Sequence, residues 1–89
     1  MKSRATQKFW ACFEKLPANV QDRARGAYRL FRENHLHPSL QFKQVHPAKP
    51  IYSVRITRDY RAVGVMSDST MVWFWIGSHA EYDRLLSRR

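Results

Sequence analysis

The chain has 89 residues, of which 44% are hydrophobic and 13% aromatic, with only three glycines and four prolines. This length allows one domain, predicted to span residues 1–89, and the composition excludes a disordered or fibrous chain. Sixteen lysines and arginines against seven acidic residues give a net charge of +9, which favours a polyanionic partner, most simply nucleic acid.

Two helices are predicted in the first third of the chain. Thr6 can cap the first helix, and Pro17 can end it and open the second. The apolar residues of the first helix recur at helical spacing, namely Phe9, Trp10, Phe13 and Leu16. The second helix runs to about Glu33 with a stripe of its own, namely Val20, Ala24, Ala27, Tyr28 and Phe31. We therefore expect a helical hairpin that packs through its aromatic face.

A sheet is predicted after the hairpin. Pro38 ends the helical region, and Leu40 and Phe42 alternate as in a short strand. Three further strands are predicted, at Ile51–Thr57, Tyr60–Met66 and Met71–Ile76. Because the links between these three are of hairpin length, an antiparallel meander is the economical topology.

A final helix is predicted after the last strand. The segment Ser78-His79-Ala80-Glu81 has the spacing of a capping box, and the helix that it opens carries Leu85 and Leu86. In the strand Ile51–Thr57 the apolar residues Val54 and Ile56 should meet the helices, because side chains alternate between the faces of a strand. Arg55 is then left on the open face of the sheet.

Four residues indicate a phosphate-handling site at one end of this sheet. Arg55 and Arg61 flank one hairpin turn, and their planar guanidinium groups can grip a phosphate. The capping box places His79 at the start of the final helix, where backbone N–H groups attract phosphate and the imidazole can act as a base. Tyr82 shares a helix face with the following leucines, so packing and catalysis are about equally reasonable roles for it.

Other kinds of chemistry are disfavoured by the sequence. The four histidines have neither metal-ligand spacing nor cysteine partners, so we expect no metal. No glycine-rich phosphate loop is present, and no cofactor is expected. Cys12, the single cysteine, is interpreted as a core thiol, and it excludes an internal disulfide. Because no apolar run approaches the roughly 20 residues of a membrane span, we expect a cytoplasmic protein without a membrane partner.

Four segments, in this order, resemble the RelE/ParE superfamily of bacterial toxins from type II toxin–antitoxin modules. They are Asn34–Lys43, Tyr52–Ile56, Tyr60–Gly64 and Trp75–Tyr82, and the match spans nearly the whole chain. With the predicted elements, the resemblance implies an α+β fold. Two N-terminal helices would pack on a twisted antiparallel β-sheet, and a short C-terminal helix would close one end.

The resemblance also implies a function, that of a metal-independent RNA endonuclease. Such an mRNA interferase inhibits translation by cleaving mRNA, commonly on the ribosome, through attack of the substrate's 2′-hydroxyl on the adjacent phosphate. His79 would then be the general base or acid, and Arg61 with Arg55 would neutralise the charge of the transition state. Tyr82 could stack on a base or orient the scissile group. The remaining contacts to RNA are assigned to Lys43, Arg58 and Arg29.

The resemblance implies two partners, mRNA on the ribosome and a cognate antitoxin that covers or distorts the basic site. Ser53 falls where some RelE branches carry a lysine, and His79 occupies an arginine position, which favours a histidine-bearing, YafQ-like branch. The usual first strand is not expected, because only Met1–Ala5 precede the first helix. Two other functions stay open: a ParE-like inhibitor of DNA gyrase without nuclease activity, and a non-enzymatic RNA-binding module.

Overall fold

The computed structural model describes residues 1–87, which form five strands and three α-helices. The strands are β1 (Lys2–Ala5), β2 (Lys43–Gln44), β3 (Ile51–Thr57), β4 (Tyr60–Ser67) and β5 (Thr70–Ser78). The helices are α1 (Gln7–Glu14), α2 (Ala18–Glu33) and α3 (His79–Ser87). The predicted α+β class and order of elements are confirmed. No helix within residues 1–87 has both the length and the apolar character needed to cross a membrane.

The five strands form one sheet in the order β1-β5-β4-β3-β2. Strands β2 to β5 are joined in antiparallel fashion, as predicted. The sequence did not predict β1, yet it pairs in parallel with β5, from Lys2 opposite Thr70 to Ala5 opposite Trp73. The backbone N–H of Thr6 continues this pairing by donating to the carbonyl oxygen of Trp73 at 2.9 Å. Four residues suffice for this edge strand because β5 already holds their hydrogen-bonding partners in place. Because β1 is parallel to β5 and the other pairs are antiparallel, the sheet is mixed.

The short strand predicted around Leu40 and Phe42 begins later in the chain. Pro38–Leu40 form a single 3₁₀ turn, and Gln41 follows with a left-handed backbone (φ 46°). The strand β2 therefore starts only at Lys43, where it pairs with Ser53. The turn of chain before it buries Leu40, which is 2% exposed, in the core.

Local interactions fix the two N-terminal helices. The hydroxyl of Thr6 accepts a hydrogen bond from the backbone N–H of Phe9 at 3.2 Å, which is the predicted cap of α1. At the other end of α1, the side-chain amide of Gln21 donates to the carbonyl oxygens of Phe13 and Leu16 at 3.0 and 3.3 Å. Phe13 lies in the last turn of α1 and Leu16 just beyond it, so the amide joins α2 to the end of α1.

The helices α1 and α2 pack together on one face of the sheet. The core is formed there by residues of both layers: Phe13, Ala24, Phe31, Val54, Ala62, Trp73 and Ile76. The prediction that Val54 and Ile56 face the helices is confirmed, and Cys12 also packs against this core. Trp10 belongs to the predicted apolar stripe of α1 but is 50% exposed. We call the opposite face of the sheet, which α3 partly covers, the outer face.

A β-bulge in β5 divides its two tryptophans between these faces. Val63 pairs with Trp75 and Gly64 with Trp73, so Phe74 is an additional residue in β5. Trp73 is 3% exposed and meets Phe31 edge-on at 5.2 Å in the helix-side core. Because the bulge interrupts the alternation of side chains, Trp75 lies on the outer face, beside the ring of Tyr82 in α3.

Gly64 lies opposite the bulge, where a methyl group has no room. A Cβ at this position would lie 2.6 Å from Met71 Cε, 2.8 Å from Trp73 Cε3 and 2.8 Å from the Val72 carbonyl oxygen. We expect Gly64→Ala to lower the free energy of unfolding by about 1–3 kcal/mol, because the backbone must shift to admit the methyl group. Urea unfolding followed by circular dichroism measures this change.

Gly26→Ala is the matched control for that substitution. A Cβ at Gly26, in the middle of α2, would meet only Arg29 Nη2, at 4.0 Å, outside the backbone of the helix. Alanine is the better helix former, so this variant should gain about 0.5–1 kcal/mol in the same assay. A Gly64→Ala protein as stable as the wild type would contradict the close packing around the bulge.

Candidate active site

A row of aligned residues crosses the outer face of the sheet. Arg55 of β3 pairs with Arg61 of β4, and Arg61 pairs with Gly77 of β5. Directly paired residues of neighbouring strands project from the same face. The structure therefore places the two arginines that the sequence singled out opposite each other, beside the strand β5 that runs into α3. Arg55 also lines a pocket with Asp22 and Gly26 of α2.

The guanidinium group of Arg61 is hydrogen-bonded through Nη1. Its Nη1 donates to the carbonyl oxygen of Thr57 at 3.0 Å and to that of Tyr60 at 3.4 Å. Within residues 1–87 no carboxylate forms an ion pair with Arg61 or Arg55. Like charges directly opposite each other repel, and a phosphate held between the two guanidinium groups would relieve this repulsion.

The predicted capping box at the start of α3 is confirmed. The backbone N–H of Ser78 donates to Glu81 Oε1 at 3.0 Å, and that of Glu81 donates to Ser78 Oγ at 3.2 Å. The hydroxyl of Ser78 also donates to Glu81 Oε1, at 3.1 Å. The backbone hydrogen bond from Ser78, followed by the one from its hydroxyl, lowers the pKa of Glu81 from its ordinary value of 4.5.

His79 follows this cap directly and lies beside the turn between β3 and β4. Its backbone N–H donates to the Asp59 carbonyl oxygen at 2.7 Å, which ties the start of α3 to that turn. The imidazole is 43% exposed, and its Nε2 lies 4.0 Å from Asp83 Oδ1, one helical turn later. Nδ1 is buried and has no hydrogen-bond partner among residues 1–87. With Nδ1 enclosed, Nε2 is the nitrogen available for proton transfer.

Tyr82 lies next to His79 but beneath α3. It is 7% exposed, and its hydroxyl donates to Ser53 Oγ at 3.2 Å. Ser53 itself is 1% exposed. The ring of Tyr82 lies 5.7 Å from the imidazole of His79 and 6.5 Å from the nearest ring of Trp75, measured between centroids. Of the two roles that the sequence left open, the geometry favours packing, with Tyr82 holding α3 on the sheet.

The three cations assigned to RNA lie on different surfaces. Lys43 is exposed on β2 and pairs with Ser53, which places it on the outer face. Arg58 is 87% exposed in the turn between β3 and β4, where Asp59 Oδ1 lies 3.7 Å from its Nε. Arg29 lies on α2 and lines a groove with Trp10 on the helical side of the sheet. Lys43 and Arg58 are thus close to the candidate site, and Arg29 is not.

Two residues of this site were not found from the sequence. Asp83 lies four residues after His79, and helical spacing alone could have placed the two side chains together. Trp75 could not have been placed in this way, because the face on which it lies depends on the bulge at Phe74. No local signal in the sequence marks that bulge.

Comparison with known proteins gives a consistent result. The family model described as ParE-like toxin domain matches residues 18–84. Curated protein sequences gave no significant match. Among solved structures, a chain of the RelB–RelE antitoxin–toxin complex from Methanococcus jannaschii is similar with a TM-score of 0.73 and 15% identity, covering 90% of this chain and 95% of that one.

Two further solved structures share this fold. YafQ from E. coli has a TM-score of 0.72 and 10% identity, with 91% of this chain and 96% of that chain covered. A YoeB/ParE toxin from Agrobacterium tumefaciens has a TM-score of 0.69 and 19% identity, with 89% of this chain and 99% of that chain covered. At such identities the likeness shows the fold alone.

The charge of Glu81 should stabilise the protein in a pH-dependent way. Because its pKa is lowered in the folded state, the charge contributes above pH 4.5, and the contribution is lost as the pH falls through the folded pKa. Glu81→Gln keeps an acceptor and removes the charge. We expect the free energy of unfolding of this variant to be about 0.3–1 kcal/mol lower than that of wild type at pH 7. This difference should shrink as the pH is lowered. Urea unfolding at several pH values measures the difference in stability between the two proteins. A difference that increased in acid would contradict a stabilising role of the Glu81 charge.

Proposed function

Because this chain belongs to the ParE-like toxin domain family, within the RelE/ParE superfamily of toxins from toxin–antitoxin systems, we propose that it is a metal-independent mRNA endonuclease. Its action would be ribosome-dependent and would inhibit translation. The observation that carries the proposal is the cross-strand pair of Arg55 and Arg61 beside His79. These residues supply what phosphoryl transfer from RNA needs, namely cations for the phosphate and a group that moves a proton.

The proposed reaction uses the RNA's own 2′-hydroxyl as the nucleophile. Nε2 of His79 takes the proton of this hydroxyl while its oxygen forms a bond to the adjacent phosphorus. The bond from phosphorus to the 5′-oxygen of the next nucleotide breaks, that oxygen receives a proton from water, and His79 returns its proton to the solvent. The products are a 2′,3′-cyclic phosphate and a 5′-hydroxyl, and no metal takes part. Asp83 Oδ1 lies 4.0 Å from Nε2 of His79, one helical turn later.

The arginines act on the charge that builds during this reaction. Negative charge accumulates on the non-bridging oxygens of phosphorus in the transition state, and a guanidinium group already in place stabilises it without reorganisation. The hydrogen bonds of Arg61 to the carbonyls of Thr57 and Tyr60 hold its fork in position before RNA binds. Lys43, exposed on β2, and Arg58, exposed in the turn between β3 and β4, would bind neighbouring phosphates of the strand.

The partner of this toxin in its module is a cognate antitoxin. Charge complementarity to a chain of +9 favours an acidic antitoxin segment. The helical side of the sheet offers such a segment an apolar groove of about 280 Å³, lined by Trp10 and Tyr28 and flanked by Arg25 and Arg29. An amphipathic helix with an acidic rim would match this surface. Assignment to a histidine-bearing, YafQ-like branch is part of the same proposal and rests on His79.

Substitution of His79 or Arg61 tests the proposed chemistry. His79→Ala should lower the cleavage rate about 10²–10⁴-fold through loss of proton transfer, and Arg61→Ala about 10²–10³-fold through loss of charge stabilisation. Both variants should lose growth inhibition when expressed. Growth curves after induction, together with thermal unfolding of the purified proteins, provide the measurement.

Arg32→Ala is the matched control, since Arg32 is an exposed arginine on α2, on the helical side of the molecule. It removes the same charge and should remain toxic. Arg61→Lys separates charge from geometry, because it keeps the cation and loses the planar fork. Folded His79→Ala and Arg61→Ala proteins with full toxicity would sink the catalytic assignment, and unfolding of both would mark these residues as structural.

Mapping of mRNA 5′ ends after brief induction tests the substrate and the dependence on ribosomes. Wild type should produce new ends inside translated regions, which are absent with His79→Ala and disappear when translation initiation is blocked. Ends that persist without initiation would contradict the ribosome dependence alone. Growth arrest with gyrase-dependent DNA damage and no new mRNA ends would replace the nuclease by a gyrase inhibitor.

A further inference from the structure

We infer that the pocket formed by Trp75, Glu81, Arg84 and Leu85 is a nucleobase subsite, in which the base of a nucleotide next to the scissile phosphate stacks on Trp75. The inference rests on the proposed function. It begins from the burial of Tyr82, the aromatic residue expected to stack on a base. Tyr82 is 7% exposed and its hydroxyl is engaged with Ser53. Trp75, on the same face, is half-buried and so keeps part of its indole accessible.

The indole of Trp75 occupies the space left by the absence of a side chain at Gly77. A Cβ at Gly77 would lie 2.6 Å from Cζ2 and 2.9 Å from Cη2 of the Trp75 indole. The six-membered ring therefore lies over the backbone of Gly77, and only glycine leaves room for it. Gly77 pairs with Arg61 across the strands, at a separation of about 5 Å between Cα atoms. A phosphate bound at Arg61 and a base on Trp75 can thus belong to one nucleotide or to two neighbours.

The walls of the pocket suit the flat and polar-edged shape of a base. The cavity has a volume of about 190 Å³, with Trp75 and Leu85 as apolar surfaces and Glu81 and Arg84 as polar ones. Glu81 Oε1 already accepts from Ser78, but a carboxylate has about four acceptor positions. It can therefore still accept from an exocyclic amine, while Arg84 donates to a ring nitrogen or carbonyl. Stacking gives affinity for any base, and these edge groups would add a preference.

The charges around the pocket favour RNA over a protein side chain as the occupant. Arg61 and Arg55 lie on the adjoining strands, and Arg84 lines the pocket itself. A polyanionic strand held by these cations brings its bases to the aromatic surface beside them, the arrangement used by proteins that bind single-stranded nucleic acids. Insertion of an aromatic or arginine side chain from the antitoxin is the competing occupant, which the experiment below distinguishes.

Binding of a short single-stranded RNA with 2′-O-methyl groups tests the inference, because this probe cannot be cleaved. Fluorescence anisotropy gives the dissociation constants of wild type and variants. We expect Trp75→Ala to bind roughly 10- to 100-fold more weakly and Trp75→Phe to regain most of the affinity. Leu36→Ala, which removes an apolar side chain that is 73% exposed and lies outside both the pocket and the groove beside Trp10, should bind as wild type does. Circular dichroism checks that each variant is folded.

Two further readouts separate stacking from a structural role. Trp75→Ala should leave the slope of log Kd against log salt concentration unchanged. Arg61→Ala should lower this slope by about 1, the value expected for the loss of one phosphate contact. An abasic residue placed along the probe should, at one position, weaken binding to wild type and have no effect on Trp75→Ala. That position identifies the stacked nucleotide.

Failure of this inference can be told from failure of the proposed function. Equal binding of the probe by folded Trp75→Ala and wild type overturns the subsite, as does a wild type that does not bind the probe. A Trp75→Ala protein that loses only its affinity for the antitoxin overturns it in favour of a protein contact. The mRNA end mapping is independent of all these outcomes, because it reports cleavage through His79 and not the occupant of the pocket.

Discussion

The β-bulge at Phe74 is the constraint on which both the core and the candidate site depend. A strand without it would place Trp73 and Trp75 on the same face, because side chains alternate. With it, Trp73 fills the core against Phe31 while Trp75 lies on the outer face. One strand thus provides the centre of the hydrophobic core and the floor of the site. This explains why its sequence is apolar on both sides, and why Gly64 opposite the bulge has no space for a side chain.

The imidazole of His79 is positioned by contacts of its backbone and of neighbouring residues. The capping box fixes the start of α3, the backbone N–H of His79 is bonded to Asp59, and Tyr82 anchors the next turn to Ser53. Each contact involves the backbone or another side chain, and the only carboxylate beside the ring within residues 1–87 is Asp83, whose Oδ1 lies 4.0 Å from Nε2. Catalytic groups gain from such placement, because the geometry is established before the substrate binds.

What could be predicted from the sequence was determined by local rules. The cap at Thr6 and the capping box of Ser78 and Glu81 depend on residues three positions apart, and both are present. The pairing of β1 with β5 joins residues almost 70 positions apart and leaves no local signal. Helical spacing placed Tyr82 with the leucines of α3, but its burial follows only from the sheet beneath it. The position of Arg29 on the side of the sheet away from His79 likewise depends on how α2 packs.

The positive charge of the chain is divided between two surfaces that the sheet separates. On the helical side, Arg25 lies 5.2 Å from the ring centre of Phe13 and Arg32 lies 5.9 Å from that of Tyr28, so these arginines partly cover aromatic surface. Arg61 lies on the outer face, and Arg55 lies opposite it at the edge of the sheet, where it also lines a pocket with residues of α2. A partner that occupied only the groove beside Trp10 would leave the side chain of His79 uncovered. To block the candidate site, a partner bound in this groove must therefore either extend a segment round an edge of the sheet or displace α3 together with His79.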